Sequence, residues 1–245
     1  MLPLPSRKAG YTLRRTFLRK GNRPMPLTQD QVIVMLHQHA NPQNAEGMAR
    51  FGIRSAHLLG IAIPALRKMA REIGRNHTLA LELWHSGIHE ARILASMLAD
   101  PHLVTPQQME AWVNDFDSWD LCDQVCGNLF DKTPYAYQKA IEWCHREPEF
   151  VRRAGFVMMA ELAVHDKKAA DESFLPFFPL IQQYATDERN FVKKAVNWAL
   201  RQIGKRNPSL LVQAIACANS IQQIDSKTAQ WVAKDALREL SEKMR

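Results

Sequence analysis

The chain has 245 residues, 46% of them apolar, with a formal net charge of +7. That length can bury one large core or an elongated array of smaller units. Four sparse cysteines, no secretory apolar core and no run of ~20 apolar residues rule out a disulfide-stapled scaffold and a membrane span, and point to a reduced, cytoplasmic protein.

Residues 1–27 hold Arg7, Lys8, Arg14, Arg15, Arg19, Lys20 and Arg23 and no acid. Removing these seven from the 32 Lys and Arg leaves 25 basic against 25 acidic residues, so the body is formally neutral. Six Pro and Gly residues and no sustained apolar stripe make this segment an expected disordered extension. It reads as an upstream addition if translation begins at Met25 or as a weak basic arm for DNA backbone, ahead of an Arg-rich targeting segment.

From residue 28 to 245 the spacing predicts one domain built from helices alone. They run Thr28–His39, Asn44–Phe51, Ile63–Ile73, Thr78–His85, His89–Ala99, Pro106–Asn114, Ser118–Phe130, Pro134–Cys144, Glu149–Val164, Ala169–Tyr184, Glu188–Arg206, Pro208–Ala218 and Ser226–Met244. Short turns and no strand pattern mean an all-α fold. In the seventh helix Trp119 and Asp123 fall one turn apart on one face. An indole beside a carboxylate can contact a sugar and stabilise positive charge, whereas Asp117, Ser118 and Asp120 are ordinary helix-start residues.

Val151-Arg152-Arg153-Ala154 and Val192-Lys193-Lys194-Ala195 lie 41 residues apart, and Lys234-Asp235-Ala236-Leu237 follows another 41 on. The period suits HEAT-like helix pairs of ~40–47 residues, stacked into a superhelical solenoid with equivalent helices along a concave wall. Arg152, Arg153, Lys193, Lys194, Arg201, Lys205 and Arg206 would make that wall basic, able to bind phosphate backbone largely without reading sequence. Solvated helix faces with acids in adjacent turns are the plainer alternative. Trp198 shares a flank with Lys194, although packing alone accounts for many helical tryptophans. His85 and His89 have a metal-pair spacing, but Gly87 interrupts them and no third ligand is evident. Cys122 and Cys126 lack a Cys/His knuckle, and no phosphate-binding Gly-rich loop or nucleophile elbow occurs. No metal and no cofactor are expected.

Several ordered motifs together resemble the DNA alkylation repair family, the AlkD-type HEAT-like-repeat DNA glycosylases, over about residues 28–220. They are Asn44-Ala45-Glu46-Gly47-Met48-Ala49-Arg50-Phe51, Leu59-Gly60-Ile61-Ala62-Ile63-Pro64-Ala65-Leu66-Arg67-Lys68, Ser118-Trp119-Asp120-Leu121-Cys122-Asp123, Val151-Arg152-Arg153-Ala154 and Lys194-Ala195-Val196-Asn197-Trp198-Ala199-Leu200-Arg201. The resemblance implies a catalytic Asp at Asp123, aromatic partners at Trp119 and Trp198, and Arg153 near the lesion's backbone. Lys194 also matches, Arg152 and Lys193 match less closely, and Phe51 stands where some relatives carry Tyr.

The implied activity is hydrolysis of the N-glycosidic bond of cationic N3- or N7-alkylated purines in duplex DNA, as base excision without strand cleavage. It needs no base flipping, no obligate protein partner and no more than a monomer. A cationic purine leaves as a neutral base, so a general acid is unnecessary. Negative charge near the sugar, aromatic contacts and a positioned water are what help. The alternative is a non-catalytic HEAT-like-repeat protein that binds damaged or branched DNA, and a protein-protein scaffold is a third class.

Overall fold

The computed structural model describes residues 27–53 and 55–243. The expected basic extension, up to residue 26, lies outside the described residues.

Thirteen α-helices and two 3-10 turns form, with no strand among the described residues. The helices are α1 Gln29–Gln38, α2 Pro42–Ala49, α3 Ile63–Ile73, α4 His77–His85, α5 His89–Leu98, α6 Pro106–Asn114, α7 Trp119–Asn128, α8 Ala136–Cys144, α9 Glu149–His165, α10 Phe177–Tyr184, α11 Asn190–Gly204, α12 Pro208–Gln222 and α13 Lys227–Glu242. Starts are chemically marked. Thr28, Asn41, Asn76, Thr105, Asn207 and Ser226 each accept a backbone N–H of the first turn, a bond worth ~1 kcal/mol per cap.

Two predicted helices are corrected. Ala169–Tyr184 is broken, because Phe174 and Phe177 turn into the core and Pro176 and Pro179 lack the N–H that a continuous helix needs. A 3-10 turn over Asp171–Ser173 precedes the shorter α10. Ser118–Phe130 ends early, since Leu129 leaves helical backbone at φ −132° and a 3-10 turn over Phe130–Lys132 follows.

The helices form two layers. In one, α3 packs on α5, α5 on α7, α7 on α9, α9 on α11, and α11 on α13. In the other, α4, α8, α10 and α12 back onto α5, α9, α11 and α13 respectively. This is the arrangement of stacked HEAT-like pairs, and the 41-residue echo falls on α9, α11 and α13. Between the layers the Trp84 and Trp112 rings stack at 3.9 Å, with Phe116, Phe130 and Trp143 continuing the aromatic core. A cleft of about 500 Å³ is lined from α3, α5, α7 and α9, which identifies the first layer as the concave wall.

Candidate active site

Helix α7 sorts its residues by the same periodicity that folds it. Leu121, Cys122, Val125 and Cys126 are buried on one side. Trp119, Asp123 and Gly127 follow one another at i, i+4 and i+8 and remain partly open on the other. Ser118 sits at the N-cap without accepting a capping bond; its hydroxyl is buried. Asp120 reaches back to α5 and accepts from His89 Nε2 at 2.9 Å. Thus His89 clamps α7 rather than pairing with His85, whose Nδ1 instead faces the Leu81 carbonyl at 2.6 Å.

Burial opposes charge on His89, yet the Asp120 hydrogen bond and charge hold its pKa above the ordinary 6.5. Burial likewise opposes ionisation of Asp120, and His89 holds it below the usual carboxylate range. The His89 contribution is complete below its unfolded pKa and lost as pH rises through the folded one. The Asp120 contribution is complete above its unfolded pKa and lost as pH falls through the folded one. Asp120→Ala is therefore expected to cost about 3 kcal/mol between roughly pH 4 and 6.5 and less at pH 9, measured by urea unfolding. An equal loss at both pH values would contradict a charged pair.

Asp123 and Arg153 form the centre of the wall. Arg153 Nε donates to Asp123 Oδ1 at 2.9 Å and Nη2 to Oδ2 at 2.8 Å, while Nη1 donates to the Phe191 carbonyl at 2.6 Å. One arginine thereby ties α7, α9 and α11 together. Burial pushes the Asp123 carboxyl up and the guanidinium pulls it back, leaving it above its ordinary value. Two N–H groups of Arg153, one on each Nη, have no protein acceptor among the described residues.

A loop between α2 and α3 meets the same corner. The Trp119 indole donates to the Phe51 carbonyl at 2.9 Å, and the Phe51 ring is 71% exposed. Gly52 adopts φ +83° where a Cβ would approach the Phe191 ring to 2.7 Å. Glu90, wholly buried, fixes the far end of the loop by accepting the backbone N–H groups of Leu59, Gly60 and Ile61. Trp198 lies half-buried two turns beyond Phe191 on α11, with Lys194 between them at helical spacing.

The expected basic wall divides by geometry. Consecutive helical residues point about 100° apart, so Arg152 and Arg153 serve different neighbours. Arg152 donates to the Cys144 carbonyl, Asp187 and Glu147, each at 3.0 Å, and stacks over Tyr184. Arg152 thereby joins α9 to the end of α8 and to the loop before α11. Arg206 is similarly committed to the Ala163 and Ala169 carbonyls. Arg201 and Lys205 share Glu239, and Lys193 lies over the Trp231 ring. Lys194 is exposed.

Sequence reasoning gave no role to Arg67, Gln124, Asn128, Lys132, Glu161 or His165, which line the cleft beside Asp123. Their only sequence signal was helical register; burial and partners across 30 or more residues were invisible.

The stack of helix pairs defines a class by its fold, the HEAT-like-repeat proteins. The chain belongs to the DNA alkylation repair enzyme family, whose model matches residues 32–240. It is similar to the uncharacterized protein Lin0241 of Listeria innocua, at 24% identity over 202 residues, covering 81% of this chain and 88% of that protein. Its fold matches a solved structure described as "a new family of proteins related to the HEAT-like repeat DNA glycosylases with affinity for branched DNA structures". That match has a TM-score of 0.71 and 18% identity, covering 86% of this chain and 95% of the other. No helix among the described residues is long and apolar enough to cross a membrane.

Proposed function

We propose that the chain is a monofunctional DNA glycosylase that hydrolyses the N-glycosidic bond of cationic N3- or N7-alkylated purines in duplex DNA. The observation that carries the reading is Asp123, placed on the concave wall one turn from Trp119 and oriented through both oxygens by Arg153. A carboxylate fixed in advance where positive charge develops stabilises an oxocarbenium-like sugar without reorganising during the reaction. Trp119 and Trp198 contact the deoxyribose. Arg153 orients Asp123 and offers its two remaining N–H groups to the lesion's phosphate, and Lys194 supplies an exposed cation to the backbone. Lys193 and Arg201 contribute weaker backbone contacts, because Trp231 and Glu239 already engage them. The wall is open, which suits a grip on the backbone without base flipping. Residues 28–245 act as one domain, as a monomer with no obligate protein partner and no metal or cofactor.

Lys132, the lysine of the cleft, is held by the Gly127 carbonyl and Asp131 rather than offered as a Schiff-base nucleophile, so base loss should leave the strand intact. Incubation with an N7-methylguanine duplex is expected to give free base and an abasic strand that breaks only under alkali. A direct nick, or a borohydride-trapped adduct, would overturn the monofunctional assignment.

The second reading is a non-catalytic protein that binds damaged or branched DNA. The similar fold of a family with affinity for branched DNA favours it. Tight binding without any free base from N7-methylguanine or N3-methyladenine would select it.

A further inference from the structure

We infer that Glu161 is a second catalytic carboxylate of the cleft, accepting the proton of the hydrolytic water while Asp123 stabilises the sugar cation. This assignment rests on the glycosylase reading above.

The two carboxylates have different surroundings. Both oxygens of Asp123 accept from Arg153, a pairing that fixes a negative charge in place but weakens its use as a base. Glu161, two turns beyond Arg153 on α9, lines the same cleft. It accepts no hydrogen bond from the described residues beyond an approach of His165 Nδ1 to 3.4 Å. His165 is engaged more closely by Asp131, at 2.5 Å.

Position is set by a missing side chain. Gly127 on α7 leaves space that the Glu161 carboxylate occupies: a Cβ there would lie 2.8 Å from Oε1 and 2.9 Å from Cδ. Gly127 is one helical turn from Asp123, so the Glu161 carboxylate meets α7 one turn from the Asp123 position.

The groups facing Glu161 are Asp123 from α7, Asp131 and Lys132 from the adjoining 3-10 turn and His165 from its own helix, with Arg67 of α3 across the cleft. Burial pushes the Glu161 carboxyl up to about 7, with Asp131 and Asp123 adding to the rise and His165 and Lys132 opposing it. A base in that range is matched to neutral solution.

The step balances without a co-reactant. The C1′–N bond breaks and its electron pair leaves with the base, cancelling the alkylpurine's positive charge. The water oxygen bonds to C1′, and the water proton passes to Glu161 and then to solvent through the open cleft.

The test compares single-turnover release of N7-methylguanine by wild type and Glu161→Gln from pH 5.5 to 8.5, at saturating enzyme. Any ionisation of the substrate cancels in the ratio. The expected ratio rises with pH and approaches ~100 at pH 8.5, the lower end of general-base effects because the sugar cation is a strong electrophile. Gly127→Ala, which displaces the carboxylate, should follow the same trend with unchanged DNA affinity. A ratio near one, or one independent of pH, overturns the assignment. No release by wild type is a separate failure, which removes the glycosylase reading and this role with it.

Discussion

Arg153→Ala is expected to destabilise the protein by about 3–5 kcal/mol, the usual effect of removing one partner from a buried ion pair. The side chain is 7% exposed and its guanidinium bonds simultaneously to Asp123 and the Phe191 carbonyl. Its loss leaves a buried carboxylate without a counter-charge and a carbonyl without a donor, loosening the α7–α9–α11 junction. The cost is local in origin, so Asp123→Leu combined with Arg153→Met should be appreciably more stable than Arg153→Ala alone. Chemical unfolding of the three proteins decides this. If the single variant loses less than ~1 kcal/mol, the pair is not the tie described, since that is the range of exposed ion pairs.

Asp123→Asn should slow base release by about 10²–10³-fold, the effect typical of deleting one preorganised electrostatic group from an active site. Asn keeps the shape and one acceptor for Arg153, so the fold survives better than with Ala. DNA binding should be nearly unchanged, because phosphate contacts and not Asp123 supply affinity. Measurement at matched occupancy separates the two effects. A variant that binds more weakly but turns over at the wild-type rate would make Asp123 a structural residue.

The helices were legible because their burial pattern is local. Leu121, Cys122, Val125 and Cys126 state the buried face of α7 in the sequence itself, leaving Trp119 and Asp123 together on the other. The break before α10 was less legible, since Ala169–Tyr184 keeps an apolar rhythm while Phe174 and Phe177 pack edge to face in a turn. The reading of charge was weakest. Arg152 and Arg153 look alike in sequence, but one completes a scaffold of Glu147 and Asp187 and the other holds Asp123. Asp123 and Asp187 lie 30 or more residues from the arginines they hold, and those pairings follow from packing alone. Glu161 was hidden for the same reason: only the stack shows that Gly127 makes room for it.

The most direct test of the central claim is whether purified protein releases free 7-methylguanine from a duplex holding one such lesion, with enzyme in excess and the product identified by mass. A glycosylase of this kind gives stoichiometric release well above spontaneous depurination, from a duplex whose strand is still continuous. Saturated binding of that duplex and of one containing N3-methyladenine, with neither base released, would contradict it and leave a DNA-binding protein in place of an enzyme.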